Sequence, residues 1–254
     1  MFVDHLEAIL GHTGTPVTIQ DTVSIAAATN NENVLNSNTG AARYIRPPFD
    51  CVGRFVANAS NDSVRAELVV NGHSLLEESD LRIASATQLL EDPRDELLDE
   101  FFCPMGGQLV VKVRNTHATL ARSINYKLVL KPSHIKTFKK LVTQRGPISL
   151  VAGAKLSLLT GLRYERPRID SILDSLISAS AAGLLAEVFV DGQSIAPPLA
   201  VAASNRVPIY PEDTLLRSIE APQGKLLEII VTNPTGGTLT FNYRNLLKEQ
   251  GHGD

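Results

Sequence analysis

Arg43-Tyr44-Ile45-Arg46-Pro47-Pro48-Phe49-Asp50 returns 120 residues later as Arg163-Tyr164-Glu165-Arg166-Pro167-Arg168-Ile169-Asp170, with Arg, Tyr, Arg, Pro and Asp in the same places. The sequence around the octet extends the echo. Arg65 to Leu75 reads as a strand, a tight Asn71-Gly72 turn and a second strand, and Leu185 to Ile195 repeats it with Asp191-Gly192 at the turn. Asp92-Pro93-Arg94-Asp95 offers a capping acid with Pro at the first helical position, and Pro211-Glu212-Asp213 is its partner. Leu109, Val111 and Val113 alternate with polar residues up to Asn115, as Leu227, Ile229 and Val231 do up to Asn233. Asn125-Tyr126 returns as Asn242-Tyr243. The offset drifts from 120 at the octet to 118 at the asparagines and 117 at the tyrosines, as short losses in loops would produce.

Each copy therefore offers several short strands, few helices and closely spaced turn signals, the pattern of an antiparallel sandwich or jelly roll. The expected fold is all-β: two tandem antiparallel β-sandwich (jelly-roll) domains related by internal duplication, at residues 16–131 and 147–248. A short N-terminal arm or helix at 1–15, a linker helix at 132–146 and a polar tail at 249–254 complete the division. In the arm, Phe2, Leu6, Ile9 and Leu10 share one helical face, suited to docking on a neighbouring subunit or on its own domain. In the linker, Ile135, Phe138, Leu141 and Val142 keep helical spacing, while Lys136, Lys139, Lys140 and Arg145 form a basic face for solvent or for an anionic surface such as Glu91 to Glu100.

Composition narrows the function. With 254 residues the chain is long enough for two ordinary cores. A net charge of −3 leaves no global basic field to hold a phosphate backbone, so nucleic acid is not an expected partner. The first ten residues mix Asp4, His5 and Glu7 with apolar positions, unlike a secretory signal, and no apolar run approaches the roughly 20 residues of a transmembrane helix. Sugar-binding sandwiches often stack rings on exposed aromatics, and this chain has no Trp and 5% aromatic residues. The two cysteines, Cys51 and Cys103, align with Ser171 and Ala221. They read as buried free thiols, with a bridge confined to one copy as the alternative.

No catalytic or metal-binding constellation emerges. The six histidines (5, 12, 73, 117, 134 and 252) are scattered, and only His73 and His117 are candidates to converge. No G-x-S-x-G or Walker loop is present. The acid pairs Glu77-Glu78 and Asp95-Glu96 read as solvated turn residues. The repeated Arg43, Tyr44, Arg46, Pro47 and Asp50, with Arg163, Tyr164, Arg166, Pro167 and Asp170, admit an anion clamp. They fit a structural corner better, with Pro fixing a turn into a strand and Asp paired to an Arg.

A pair of Trp-free β-domains with an arm at Phe2 to Leu10 and no catalytic cluster resembles the double jelly-roll coat proteins and two-domain decoration proteins of tailed or membrane-containing phages. The resemblance covers Pro16 to Lys248 and is architectural. It implies a non-enzymatic virion structural protein, made in the host cytoplasm, that forms a homo-oligomer, with a trimer expected, and contacts other virion proteins without any cofactor. A tail, baseplate or adhesin module that recognises a host glycan or protein is the alternative, and a tandem-barrel, bicupin-like enzyme a more distant one.

Overall fold

The computed structural model describes residues 16–30, 32–35, 45–47, 49–84, 90, 92–133, 140–162, 165–209 and 213–250. The chain divides after Val142 into two compact units. The first contains β1 (Val17–Ile25), β2 (Glu32–Asn33), β3 (Cys51–Ala59), β4 (Val64–Val70), β5 (His73–Asp80), β6 (Arg82–Ile83), β7 (Glu96–Cys103), β8 (Leu109–Asn115) and β9 (Arg122–Pro132). Then follow β10 (Lys140–Leu150), β11 (Lys155–Ser157), β12 (Ser171–Ala179), β13 (Leu185–Val190), β14 (Gln193–Ser194), β15 (Leu199–Ala200), β16 (Thr214–Ala221), β17 (Leu227–Thr232) and β18 (Leu239–Glu249). A 3-10 turn spans Pro93–Asp95, and its Asp92 cap accepts from the Arg94 N–H.

The first unit stacks sheet β1-β9-β3-β7, with β6 beside β3, on sheet β2-β8-β4-β5. The second has β10-β18-β12-β16 and β11-β17-β13-β14, with β15 also on β13. If the eight main strands of each unit are counted in chain order, both units run 1-8-3-6 and 2-7-4-5. That is the order of a jelly roll, and it decides between the jelly roll and other sandwiches. Alternation drives it: β8 buries every second residue from Leu109 to Asn115, and β17 does so from Leu227 to Val231. The 70–73 hairpin turns on Asn71 and Gly72 at φ 51° and 77°, and its partner on Asp191 and Gly192 at 49° and 76°, as a type I′ turn requires. Even an irregularity recurs. Register slips between Gly53 and Phe55 against β7 and between Leu173 and Ser175 against β16, near Glu100 and Ser218, both at positive φ.

The predicted linker helix is corrected where it is described. Lys140 to Gly146 are extended in β10, which enters the second unit at Thr143, while 134–139 lie outside the described residues. Leu141 and Val142 carry the spacing of either element, and the choice falls to Val142-Thr143, both β-branched, and to Gly146-Pro147, which ends any helix. The strand therefore starts ahead of the expected boundary at 147, and β18 runs into the expected tail as far as Glu249. The arm with Phe2, Leu6, Ile9 and Leu10 lies outside the described residues.

The two cores differ in paired positions. Gly53 faces Phe101 on β7, where a Cβ would lie 2.2 Å from the Phe101 ring, whereas the second unit has Leu173 opposite Ile219. Phe55 faces Leu128, both fully buried, whereas Ser175 faces Asn245, also fully buried. Ser175 Oγ donates to Asn245 Oδ1 at 2.8 Å, and Asn245 Nδ2 finds no acceptor among the described residues.

Candidate functional site

The repeated octet lies at one end of each unit, where three connections meet. In the first unit Ile45 exchanges backbone hydrogen bonds with Leu109, and Pro47 O accepts from Gly106 N at 2.7 Å. Asp50 Oδ1 accepts from Met105 N at 2.8 Å. In the second, Leu227 N donates to Glu165 O, Gly224 N to Pro167 O and Gln223 N to Asp170 Oδ1, each at 2.8 Å. The Asp thus takes a backbone N–H as its partner, rather than the arginine expected from sequence. A carboxylate ties down one orphan amide of the turn that precedes β8 or β17, a stronger bond than a neutral acceptor would make. Arg46 is exposed, and Arg166 donates to Gly224 O at 3.2 Å. Arg43, Tyr44, Arg163 and Tyr164 lie outside the described residues.

The hairpin turn joins the same corner. Asn71 Oδ1 accepts from Gln108 N at 2.8 Å, and Asp191 Oδ1 from Leu226 N at 2.9 Å. Lys225 Nζ adds a 2.6 Å contact to Asp191, and this pairing holds the exposed carboxyl below the usual carboxylate range. Elsewhere the shared residues behave in the same way. Asn115 Nδ2 donates to the Ile25, Ala26 and Leu120 carbonyls, and Asn233 Nδ2 to those of Leu150 and Gly237. Tyr126 Oη donates to Val34 O, and Tyr243 Oη to Leu158 O.

Sequence reasoning missed one shared feature. Asp95, read as solvated, is fully buried: it accepts from Asn58 Nδ2 at 2.9 Å and from Arg82 Nε at 2.5 Å. Asp213, 1% exposed, accepts from Ser204 Oγ at 2.5 Å and Arg206 Nε at 3.0 Å. The paired Pro-containing segments were the signal. The arginines sit at unequal offsets, Arg82 13 residues before its Asp and Arg206 7 before, so their pairing was not readable from spacing. In the first unit the lane continues outward: Asn125 Nδ2 donates to Asn58 Oδ1 and Thr22 Oγ1 to Asn125 Oδ1. Beside it Asp92 pairs with Arg94, which holds its carboxyl well below the usual range.

The histidine candidates do not meet. His73 pairs with Val70 at one end of β4, and His117 follows Asn115, which pairs with Val64 at the other, about 20 Å away at the rise of a strand. His117 Nδ1 instead accepts from the Thr119 and Leu120 N–H groups. Among the described residues no three His, Cys, Asp or Glu side chains are grouped to hold a metal, and no helix is long and apolar enough to cross a membrane.

No protein-family model matches the sequence, and no curated protein matches it. Solved structures resemble it at low similarity. The major capsid protein P2 of bacteriophage PM2 is 10% identical over 92% of this chain and 99% of its own, with a TM-score of 0.45. PNGase F, a glycosylasparaginase from Flavobacterium meningosepticum, is 11% identical over 93% and 97%, with a TM-score of 0.41. The STIV MCP is 11% identical over 91% and 95%, with a TM-score of 0.33. None of these likenesses reaches a TM-score of 0.5, and none carries a function to this chain.

Proposed function

We propose that this chain is an internally duplicated, non-enzymatic structural protein of a virion, a shell or decoration component of a phage capsid. One observation carries the reading: at the described positions named next, and at Asp95 and Asp213, the polar residues of both units are turned onto the protein's own backbone or onto buried ion pairs. Asp50 and Asp170, Asn71 and Asp191, Asn115 and Asn233, and Tyr126 and Tyr243 each hold a turn or a carbonyl. A site selected for one ligand need not persist in both copies, whereas a fold built twice must keep its anchors.

Duplication has a geometric use in such a role. Two similar barrels per chain give a closed trimer a pseudo-sixfold outline that tiles a shell or caps a hexameric capsomer. Phe2, Leu6, Ile9 and Leu10 supply an arm for subunit contacts, and other virion proteins are the remaining partners. Purification of the particles that carry this chain, with quantitative mass spectrometry of their components, tests the reading. A shell or decoration protein is present in hundreds of copies per particle. A few copies per particle, or glycan binding by the isolated chain, would instead indicate a tail or adhesin module.

A further inference from the structure

We infer that Cys51 and Cys103 form a redox-active dithiol that closes to a cross-strand disulfide when a low-molecular-weight disulfide such as oxidised glutathione is the oxidant. The two residues are the terminal register pair of β3 and β7, and both are fully buried. Directly opposed residues of antiparallel strands present their side chains on one face with Cα atoms about 4.5–5.5 Å apart, inside the range a disulfide spans. Sequence spacing could not show this, because the pairing depends on the register of two strands about 50 residues apart.

The second unit shows that thiols are not needed for the fold here. Its register pair at the same place is Ser171 and Ala221. Ser171 Oγ donates to Ile169 O at 2.8 Å, as Cys51 Sγ does to Phe49 O at 3.1 Å. A hydroxyl and a methyl therefore serve the same corner, and the sulfur pair adds chemistry rather than packing. Burial and the nearby Asp50 carboxylate push the Cys51 thiol up to about 11, and burial, Cys51 and Asp50 push Cys103 up to about 12. Since the thiolate is the nucleophile, the pair stays reduced until the corner held by Asp50 and Met105 opens.

The chemistry balances with the named oxidant. One cysteine thiolate attacks a sulfur of the small disulfide, forming a mixed disulfide and releasing one small thiol. The second cysteine thiolate then attacks the protein sulfur of that mixed disulfide, forming the Cys51–Cys103 bond and releasing the second small thiol. Two protein thiols give up two protons and two electrons, and the oxidant takes them up as two thiols. The bond would staple the ends of β3 and β7 after exposure to an oxidising environment, in the first unit alone. This inference does not depend on the virion reading.

The test uses the full chain, reduced and then incubated with oxidised glutathione, both in buffer and at a denaturant concentration just below the unfolding transition. Alkylation under unfolding conditions and intact mass follow. The expected product is a single covalent chain, two hydrogens lighter, unalkylated, and yields one peptide pair linked through Cys51 and Cys103. Its Tm rises by roughly 10 °C, as closure of a loop of about 50 residues implies, and falls back with reductant. The Cys51→Ser/Cys103→Ala variant, which carries the second unit's own residues, shows no oxidant-dependent shift. Two alkylated thiols after both incubations, a persistent glutathione adduct, or disulfide-linked dimers would each overturn the proposal. The linked peptide is read in the unmodified chain, so the test holds even if the variant folds poorly.

Discussion

The two units share a strand plan and a set of turn anchors, yet they fill their cores differently. The first packs Phe101 over Gly53 and sets Phe55 against Leu128, while the second uses Leu173 with Ile219 and sets Ser175 against Asn245. Anchors are fixed because each meets a backbone group whose position the topology dictates. Core residues vary because volume and polarity need only balance across a cross-strand pair. At these positions the units therefore differ pair by pair rather than residue by residue.

The largest effect expected is at the buried ion pairs. Asp95→Ala removes the fully buried acceptor of Arg82, 12% exposed at its side chain, leaving Asp92 at 3.7 Å, and Asp213→Ala removes the Nε acceptor of Arg206, 29% exposed. Asp95→Ala should cost about 3–5 kcal/mol and Asp213→Ala less, because a more hydrated guanidinium is less penalised by losing a carboxylate. Urea denaturation of the two variants measures the order, and a larger loss at Asp213 would break the comparison.

Next come the core pairs. Phe55→Ser, which installs the second unit's residue in the first, should cost about 3–5 kcal/mol, because Leu128 cannot take up the space or the hydroxyl's hydrogen bond. Gly53→Leu alone drives a side chain into the Phe101 ring and should cost about 1–3 kcal/mol. Gly53→Leu/Phe101→Ile, copying the other unit, should recover much of that loss. A double-mutant cycle with no coupling would show that the pairs do not compensate.

The corner anchors should behave alike in both units. Asp50→Ala and Asp170→Ala each remove one charge-assisted bond to a turn N–H, for a loss of about 1–2 kcal/mol. Amide exchange at Met105 and Gln223 should quicken together, and a change at only one would separate the corners.

The smallest contrast is at alkaline pH. Cys51, Cys103 and Tyr126 are raised to about 11, 12 and 12, from ordinary values of 9.0, 9.0 and 10.0. The folded first unit thus holds these protons more tightly than the unfolded chain. The stability they contribute is complete below about pH 9 and is lost as pH rises through the folded values. The denaturation midpoint should therefore decline from about pH 9 upward, and less steeply in Cys51→Ser/Cys103→Ala. An identical slope in the variant would show that the thiols contribute nothing to this decline.

The repeat made much of this fold legible before any coordinates. Asn71-Gly72 and Asp191-Gly192 announced their hairpins because a type I′ turn needs residues that tolerate positive φ, and the Leu109 and Leu227 runs announced strands through period-two burial. Strand order was not legible, because nothing local tells β9 to lie between β1 and β3. Lys140 to Gly146 was misread because Leu141 and Val142 complete a helical spacing begun at Ile135 and Phe138, while the β-branched Val142-Thr143 and the Gly146-Pro147 break favour a strand. Asp95 was misread because its burial depends on Arg82 and Asn58, which reach it from separate elements. The register of Cys51 with Cys103 was hidden for the same reason.

The central claim is that two similar barrels in one chain serve to build a closed trimer. Native mass spectrometry of the full chain at micromolar concentration, with electron-microscopic class averages of the same sample, tests it most directly. The account predicts a species at three times the 27.4 kDa chain mass with a pseudo-sixfold outline. A monomer at every concentration, or a particle without threefold symmetry, would contradict it.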